Sequence, residues 1–407
     1  MNKLNTSQMN GTERALPGRG AVRLTQFALA SLLLFSLVLG ALPAFADRDH
    51  DHDHDHDRGN HGNHGNHGNH GLRGFNDRGN ILIADQFNNR VIEATPDGQI
   101  VWQFGLGPTD FSPQSVIGCN DAQRVGRLTL MAGSGLPPGI DPQATNGAVD
   151  NRVLLVDAKR NIIWQYGQFQ QTGSDFNQLN TPVQCTWLPN LHVLITDQGN
   201  NRIIEVNLRK HIVWQYPGSN TNSSDQLNSP NSAELLENGH ILIADENNNR
   251  AIEVTRAHSI VKTFTAGGTV SILAFASRLP NGDTLLTDSG NSRIVEVDAN
   301  DNPVWHYITN TDPLSFPAPL PTHAFRLKNG DTLISDQVNN RVIRVNMAGE
   351  IVADYGLPLA SGGMIGDNAG YDLHTTQQGL NWPYDAKVIG DYTGITSPSD
   401  SDEDSDD

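Results

Sequence analysis

The chain has 407 residues, with 37% hydrophobic and only 6% aromatic side chains, 39 glycines and a net charge of -18. That composition suits many short strands joined by tight turns better than packed helices. The charge excludes nucleic acid and anionic membrane surfaces as partners, since both are polyanions.

Residues 1–46 have the layout of an export signal. Lys3, Arg14, Arg19 and Arg23 form a basic start, an apolar run extends from Phe27 to Leu42, and Ala44-Phe45-Ala46 offers small residues for cleavage after Ala46. The run is about 16 residues, shorter than the roughly 20 that span a bilayer. A periplasmic or secreted chain with no membrane span after cleavage is the expectation, with a retained anchor as the alternative.

A His/Asp/Gly-rich arm follows over 47–78. It carries His50, His52, His54, His56, His61, His64, His67 and His70, nothing in 47–71 could build a core, and the arm is expected to be disordered. Two roles stay open for it: a solvated spacer, or capture of Zn, Ni or Cu through imidazole nitrogens. No other cofactor is suggested. At the opposite end, 392–407 reads as a disordered acidic tail.

Between these flanks the sequence repeats itself, as ILIADQFNNRVIEATPDGQIVWQFG from Ile81, VLITDQGNNRIIEV from Val193, ILIADENNNRAIEV from Ile241, TLLTDSGNSRIVEV from Thr284 and TLISDQVNNRVIRV from Thr332. A sixth copy is disguised from Asp150, with its first strand displaced upstream to Arg127–Met131, and it lacks the Asp found at Asp85. Arg90, Arg152, Arg202, Arg250, Arg293 and Arg341 mark the six copies. Repetition at this period indicates stacked supersecondary units.

Each copy predicts three antiparallel strands: one apolar on both faces, an Asn-rich turn, an alternating strand, and a third strand. Trp102, Trp164, Trp214 and Trp305 recur on that third strand, where packing between units explains them better than a ligand platform. Asp85, Asp197, Asp245, Asp288 and Asp336 are expected to bond their own turns and pair with the marker arginines. Asp298–Asn302 lacks the glycine and distal glutamate of a calcium loop.

A fourth, innermost strand precedes each unit, beginning at Pro182, Pro230, Ala274 and Pro321, and in a weaker form at Pro113. The first unit has none before it. LNWPYDAKVIG (380–390) matches QLNTPVQCTWL and QLNSPNSAELL, so the C-terminus is expected to supply that strand. The predicted fold is therefore all-β: a six-bladed β-propeller over 79–391, its blades four-stranded and antiparallel, its ring closed by a C-terminal strand.

Asp85-Gln86-Phe87-Asn88-Asn89-Arg90-Val91-Ile92 and its relatives resemble the NHL repeat, as do the Leu-x-Asn-Gly endings at Leu236, Leu279 and Leu327. The third-strand endings, as in Gln99-Ile100-Val101-Trp102, are similar to arylsulfotransferase-like propellers. The resemblance implies the propeller and leaves activity open, because such propellers include lyases, hydrolases and binding platforms.

The longest irregular segments (105–112, 133–147, 217–229, 309–320 and 356–381) all fall on connections expected on one "top" face, the usual binding side of a repeat array. The channel mouth there should be lined by Ser115, Gln184, Ser232, Phe275, His323 and Asp385, with Gln114, Asn231 and Tyr384 beside them. His323 and Asp385, on adjacent blades, could form an acid/base pair. No G-x-S-x-G, P-loop or dinucleotide fingerprint is present, which puts binding ahead of catalysis.

The leading expectation is an exported, monomeric NHL-type binding module for a protein, glycan or small molecule on the top face. The alternatives are a hydrolase, lyase or arylsulfotransferase-like enzyme using His323 and Asp385, and metal capture by the arm. Cys119 and Cys185 either pair or remain as two buried thiols.

Overall fold

The computed structural model describes residues 73–139, 141, 143–312, 315–356 and 379–391. They form six four-stranded antiparallel sheets arranged as a propeller. The first blade combines β24 (Pro383–Val388) with β1 (Ile81–Asp85), β2 (Arg90–Ala94) and β3 (Ile100–Phe104). Blade two is β4 (Cys119–Val125), β5 (Leu128–Leu136), β6 (Ala148–Asp157) and β7 (Ile162–Gly167). Blade three is β8 (Pro182–Trp187), β9 (Val193–Asp197), β10 (Arg202–Val206) and β11 (Ile212–Tyr216). Blade four is β12 (Pro230–Leu235), β13 (Ile241–Asp245), β14 (Arg250–Val254) and β15 (Ile260–Phe264). Blade five is β16 (Leu273–Arg278), β17 (Thr284–Asp288), β18 (Arg293–Val297) and β19 (Pro303–Ile308). Blade six is β20 (Pro321–Arg326), β21 (Thr332–Asp336), β22 (Arg341–Val345) and β23 (Ile351–Tyr355). Among the described residues no helix is long and apolar enough to cross a membrane.

The predicted closure is present. Ile81 faces Val388, Ile83 faces Ala386 and Ala84 faces Asp385 across an antiparallel ladder. The second strand of each blade is apolar on both sides because it is buried against both neighbours. Leu82 and Ala84 join Ala122, Met131 and Leu154 of blade two in one core cluster. Ile81 and Ile83 join Leu327, Leu333 and Val342 of blade six in another. Period-two alternation thus feeds two interfaces from one strand.

The Asp-x-x-Asn-Asn-Arg signature has a separate task for each residue. The Asp carboxylate takes the Arg Nε (2.6 Å for Asp85–Arg90 and Asp197–Arg202) and the amide of the first Asn (2.8 Å in blades one and three). Its other oxygen accepts the backbone N–H two residues before the inner strand, from Asn381 to Asp85 (2.7 Å) and from Asn180 to Asp197 (2.8 Å). The second Asn is left-handed (φ 49° at Asn89, 52° at Asn201), a conformation Asn tolerates better than most residues. Its side-chain oxygen accepts the N–H just before the next blade's inner strand, from Gly118 to Asn89 (2.9 Å), from Ser229 to Asn201 (2.7 Å) and from Trp382 to Asn340 (2.9 Å).

Blade two reaches the same end with different residues. Gly133 faces Arg152 where Asp85 would face Arg90. Asp150, standing where the first Asn stands elsewhere, bonds both Arg152 and the Ile117 N–H. A Cβ at Gly133 would lie 2.4 Å from that carboxylate, so the glycine and the displaced Asp are one compensated change.

The indoles do bridge blades. Trp102, Trp164, Trp214 and Trp305 donate to the Ala158, Leu208, Arg256 and Met347 carbonyls of the following blade at 3.0–3.1 Å. Packing begins ahead of residue 79, with Phe75 buried against Trp102. Cys119 and Cys185 are free, buried thiols. The inner strand of blade two corrects the expectation: it starts at Cys119, not Pro113, because the connection from blade one is longer and the strand lacks the opening proline.

One blade carries an unmet bond. The residue equivalent to Asn381 and Asn180 in blade six is Pro319, which has no N–H, and Asp336 Oδ1 is buried without a partner. Burial pushes the Asp336 pKa up to about 6 against the pull of Arg341.

Two predictions follow from this architecture. A chain ending at Gly379 loses β24, and it should melt at lower temperature with a broadened transition in circular dichroism; an unchanged melt would contradict ring closure. Because Asp336 binds its proton more tightly folded than unfolded, stability should decline as pH rises from the ordinary carboxyl range through about 6. Pro319→Ala restores the N–H and should flatten that decline in melting curves between pH 4 and 8, whatever pH-independent offset the lost proline adds. An unaltered slope would show that the missing donor is not the cause.

Candidate functional site

All six inner strands carry a β-bulge after their first residue. A bulge re-aims side chains, and here it sets successive tiers around the axis. The bulged residues are Asn120, Val183, Asn231, Ala274, Thr322 and Tyr384, followed by Asp121, Gln184, Ser232, Phe275, His323 and Asp385. The residues after these are small: Ala122, Cys185, Ala233, Ala276, Ala324 and Ala386.

The register corrects one part of the sequence expectation. The blade-two counterparts of His323 and Thr322 are Asp121 and Asn120, whereas Ser115 and Gln114 lie on the preceding connection. Ser115 is buried and its carbonyl accepts from Arg152, while Gln114 is exposed. Gln184, Asn231, Ser232, Phe275, His323, Tyr384 and Asp385 do share the axial tiers, all of them buried.

Much of the second tier links blades. The Asp385 carboxylate accepts the Ala122 N–H (3.3 Å), Asp121 the Cys185 N–H (3.0 Å), Gln184 the Ala233 N–H (2.5 Å) and Ser232 Oγ the Ala276 N–H (3.2 Å). Blades five and six break the series with rings: Phe275 packs on His323 with centroids 4.4 Å apart, and Phe325 and Tyr384 flank the imidazole.

The axis is also crossed. Tyr384 of blade one reaches Asn231 of blade four, its hydroxyl donating to Asn231 Oδ1 at 3.0 Å. Burial holds the Tyr384 phenol well above its usual range. This bridge is a floor across the channel.

Above the floor is a rim that sequence reasoning missed. The residue directly after the turn Asp is Gln86, Gln198, Glu246, Ser289 or Gln337, with Ser134 at the matching place in blade two. Gln337 donates to Gln86 (2.9 Å) and Gln198 to Glu246 (3.1 Å), while Ser134 bonds Asn120 (2.9 Å) and the Pro182 carbonyl (2.7 Å). Asn231 Nδ2 holds Glu246 at 2.6 Å. The signal was present in the repeats: the position after Asp is always polar, though it reads as part of the turn. Glu246 is partly exposed, and the groups enclosing it raise its pKa to about 7, desolvation outweighing the Asn231 bond.

Beneath the floor lies a buried charged cluster. Lys387 Nζ bonds Asp121 Oδ1 (2.7 Å), Asp385 Oδ2 and the Ala122 carbonyl (3.0 Å). The two carboxylates hold the Lys387 pKa above its ordinary value against burial. His323 Nδ1 lies 3.0 Å from the Tyr384 carbonyl, which makes that nitrogen the protonated one. Burial, then the neighbouring ammonium, pushes His323 down to about 3, so the ring is neutral. Asp121 is shifted up by burial. His323 Nε2 and Asp385 Oδ1 are buried without hydrogen-bond partners. His323 and Asp385 thus share one cluster, but the imidazole is oriented by a backbone carbonyl rather than by the carboxylate. The eight arm histidines lie outside the described residues.

No protein-family model matches the chain, and no curated protein matches it. Among solved structures it is similar to virginiamycin B lyase from Staphylococcus aureus, at 15% identity and TM-score 0.41 over 59% of this chain and 70% of that one. It is also similar to a protein of unknown function from Bacteroides caccae, at 14% identity and TM-score 0.47 over 68% and 93%. A third likeness is to the WD40 β-propeller domain of Doa1, at 13% identity and TM-score 0.44 over 69% and 84%. The sheets themselves define the class: an all-β propeller of six four-stranded blades.

The rim carboxyl gives a pH test. With its folded pKa raised to about 7, Glu246 favours the fold when protonated, and that contribution is lost as pH rises from the ordinary carboxyl range through 7. Glu246→Gln should therefore melt higher than wild type at pH 8 and nearly alongside it at pH 4. Equal melting temperatures at both pH values would contradict the shift.

Proposed function

We propose that this chain is an exported NHL-type propeller that acts as a binding module. It takes a polar ligand bearing hydroxyl or amide groups, such as a glycan or peptide segment, into the cup on its loop-rich face. The observation that carries this reading is the rim: five blades place a polar side chain directly after the turn Asp, blade two places Ser134 at the matching position, and Tyr384 and Asn231 close the cup below. Amide groups both donate and accept, so such a ring can orient a polar ligand by hydrogen bonds.

The connections add support. Turns and inner-strand approaches meet on this face through repeated backbone bonds, Phe87 to Asn381 (3.0 Å), Gly199 to Asn180 (2.9 Å) and Asn247 to Asn228 (3.1 Å) among them. These bonds give the longer connections a rigid base. Segment 357–378, expected from the sequence to join this face, lies outside the described residues.

A second reading is favoured by the unpartnered His323 Nε2. In it the propeller is a hydrolase, lyase or arylsulfotransferase-like enzyme with His323 as base, reached when the Tyr384–Asn231 bridge opens.

The two readings separate on an array of glycans and peptides probed with the full chain. The binding reading expects captured ligands to lose at least about tenfold in affinity in Gln86→Ala and Gln198→Ala, roughly the worth of one or two hydrogen bonds. It also expects the same affinity in His323→Gln and unaltered ligands after incubation. Ligand conversion that disappears in His323→Gln would replace binding with catalysis. Affinities indifferent to the rim substitutions would remove the cup.

A further inference from the structure

We propose that Asp121, His323 and Asp385 form a binding site for a divalent transition metal on the propeller axis, beneath the Tyr384–Asn231 bridge. The three come from blades two, six and one, and one ligand atom from each lies within 4.8 Å of the others. All three are buried.

Two atoms of the set have no hydrogen-bond partner: His323 Nε2 and Asp385 Oδ1. A buried acceptor left unmet is costly, and a buried carboxylate oxygen especially so. The surroundings explain why these atoms stay free. His323 Nδ1 is committed to the Tyr384 carbonyl at 3.0 Å, which fixes the tautomer and turns the Nε2 lone pair into the cluster. A backbone carbonyl on the far nitrogen is the outer support that metal-binding imidazoles require. The Lys387 ammonium spends its bonds on Asp121 Oδ1, Asp385 Oδ2 and the Ala122 carbonyl, leaving Asp385 Oδ1 open.

A cation answers both free acceptors at once, since His323 Nε2 and Asp385 Oδ1 each present an unshared lone pair to the same space. Imidazole with carboxylate selects a d-block divalent ion such as zinc or manganese rather than an alkali ion. Ligand atoms around tetrahedral zinc sit about 3.3 Å apart, so the three side chains would draw inward from their present spacing.

The test is thermal melting of the full chain in ZnCl2 and, separately, MnCl2. Arm histidines that bind metal alike in folded and unfolded chains move no midpoint, whereas a site assembled from three blades exists only in the fold. Wild type should rise by about 4 °C at a hundredfold excess over Kd. Asp385→Asn and His323→Gln should lose the rise, and Lys387→Met, which removes the competing ammonium, should reach it at lower metal concentration. No rise with either ion, or an equal rise in Asp385→Asn, overturns the site. Should the variants fail to fold, crystals of the full chain grown with ZnCl2 decide it. An anomalous peak between His323 Nε2 and Asp385 Oδ1 supports the proposal, and water density without anomalous signal there overturns it.

Discussion

The propeller depends on one constraint: the backbone that leads into an inner strand must be fixed, and in five of the six blades a buried carboxylate does so rather than a ladder. The turn Asp holds the approach to its own blade's inner strand, and the left-handed Asn holds the approach to the next. Both act on backbone N–H groups that would otherwise be buried without acceptors. The Arg pairs with the carboxylate and keeps it aimed. Hydrophobic burial between blades supplies most of the cohesion, but it is non-directional; these bonds set the register. The blades therefore tolerate varied strands and loops, and blade two tolerates a displaced Asp, as long as these bonds are made.

This constraint explains where the axis gains its chemistry. With the inner strands pinned at their entrance, a bulge follows at the same place each time, and the tiers behind it are free to differ. Gln184 and Ser232 spend their side chains on linking blades, whereas Tyr384 spans the channel and Asp121, Asp385 and Lys387 form a charged cluster. The axis thereby carries a rim of polar side chains and, beneath the Tyr384–Asn231 bridge, a buried charged cluster. The rim places a polar side chain on every blade, whereas the charged cluster is confined to blades one, two and six.

The fold was legible because the repeats announce themselves and because LNWPYDAKVIG shares its opening with the inner strands. The same habit of matching on proline misplaced the inner strand of blade two. Asn120-Asp121-Ala122-Gln123 repeats the pattern of Tyr384-Asp385-Ala386-Lys387, and that likeness would have found it without the proline. His323 and Asp385 were legible as neighbours, since ring closure sets blade six beside blade one. Lys387 and Asp121 were not, because their partnership depends on side-chain reach across a bulge. The rim residues were hidden for a different reason: position alone does not reveal that the residue after a turn Asp points to the axis.

Ring closure by the C-terminal strand is the claim on which the register, the tiers and the cup all rest. Its most direct measurement is a cross-link between Ile81→Cys and Val388→Cys, residues placed opposite each other in the closing ladder. Mild oxidation of the folded double variant should give an intramolecular disulfide joining 81 to 388 in peptide mass spectrometry. Persistence of both thiols in a folded chain, or 388 joined to another site, would contradict the closed ring.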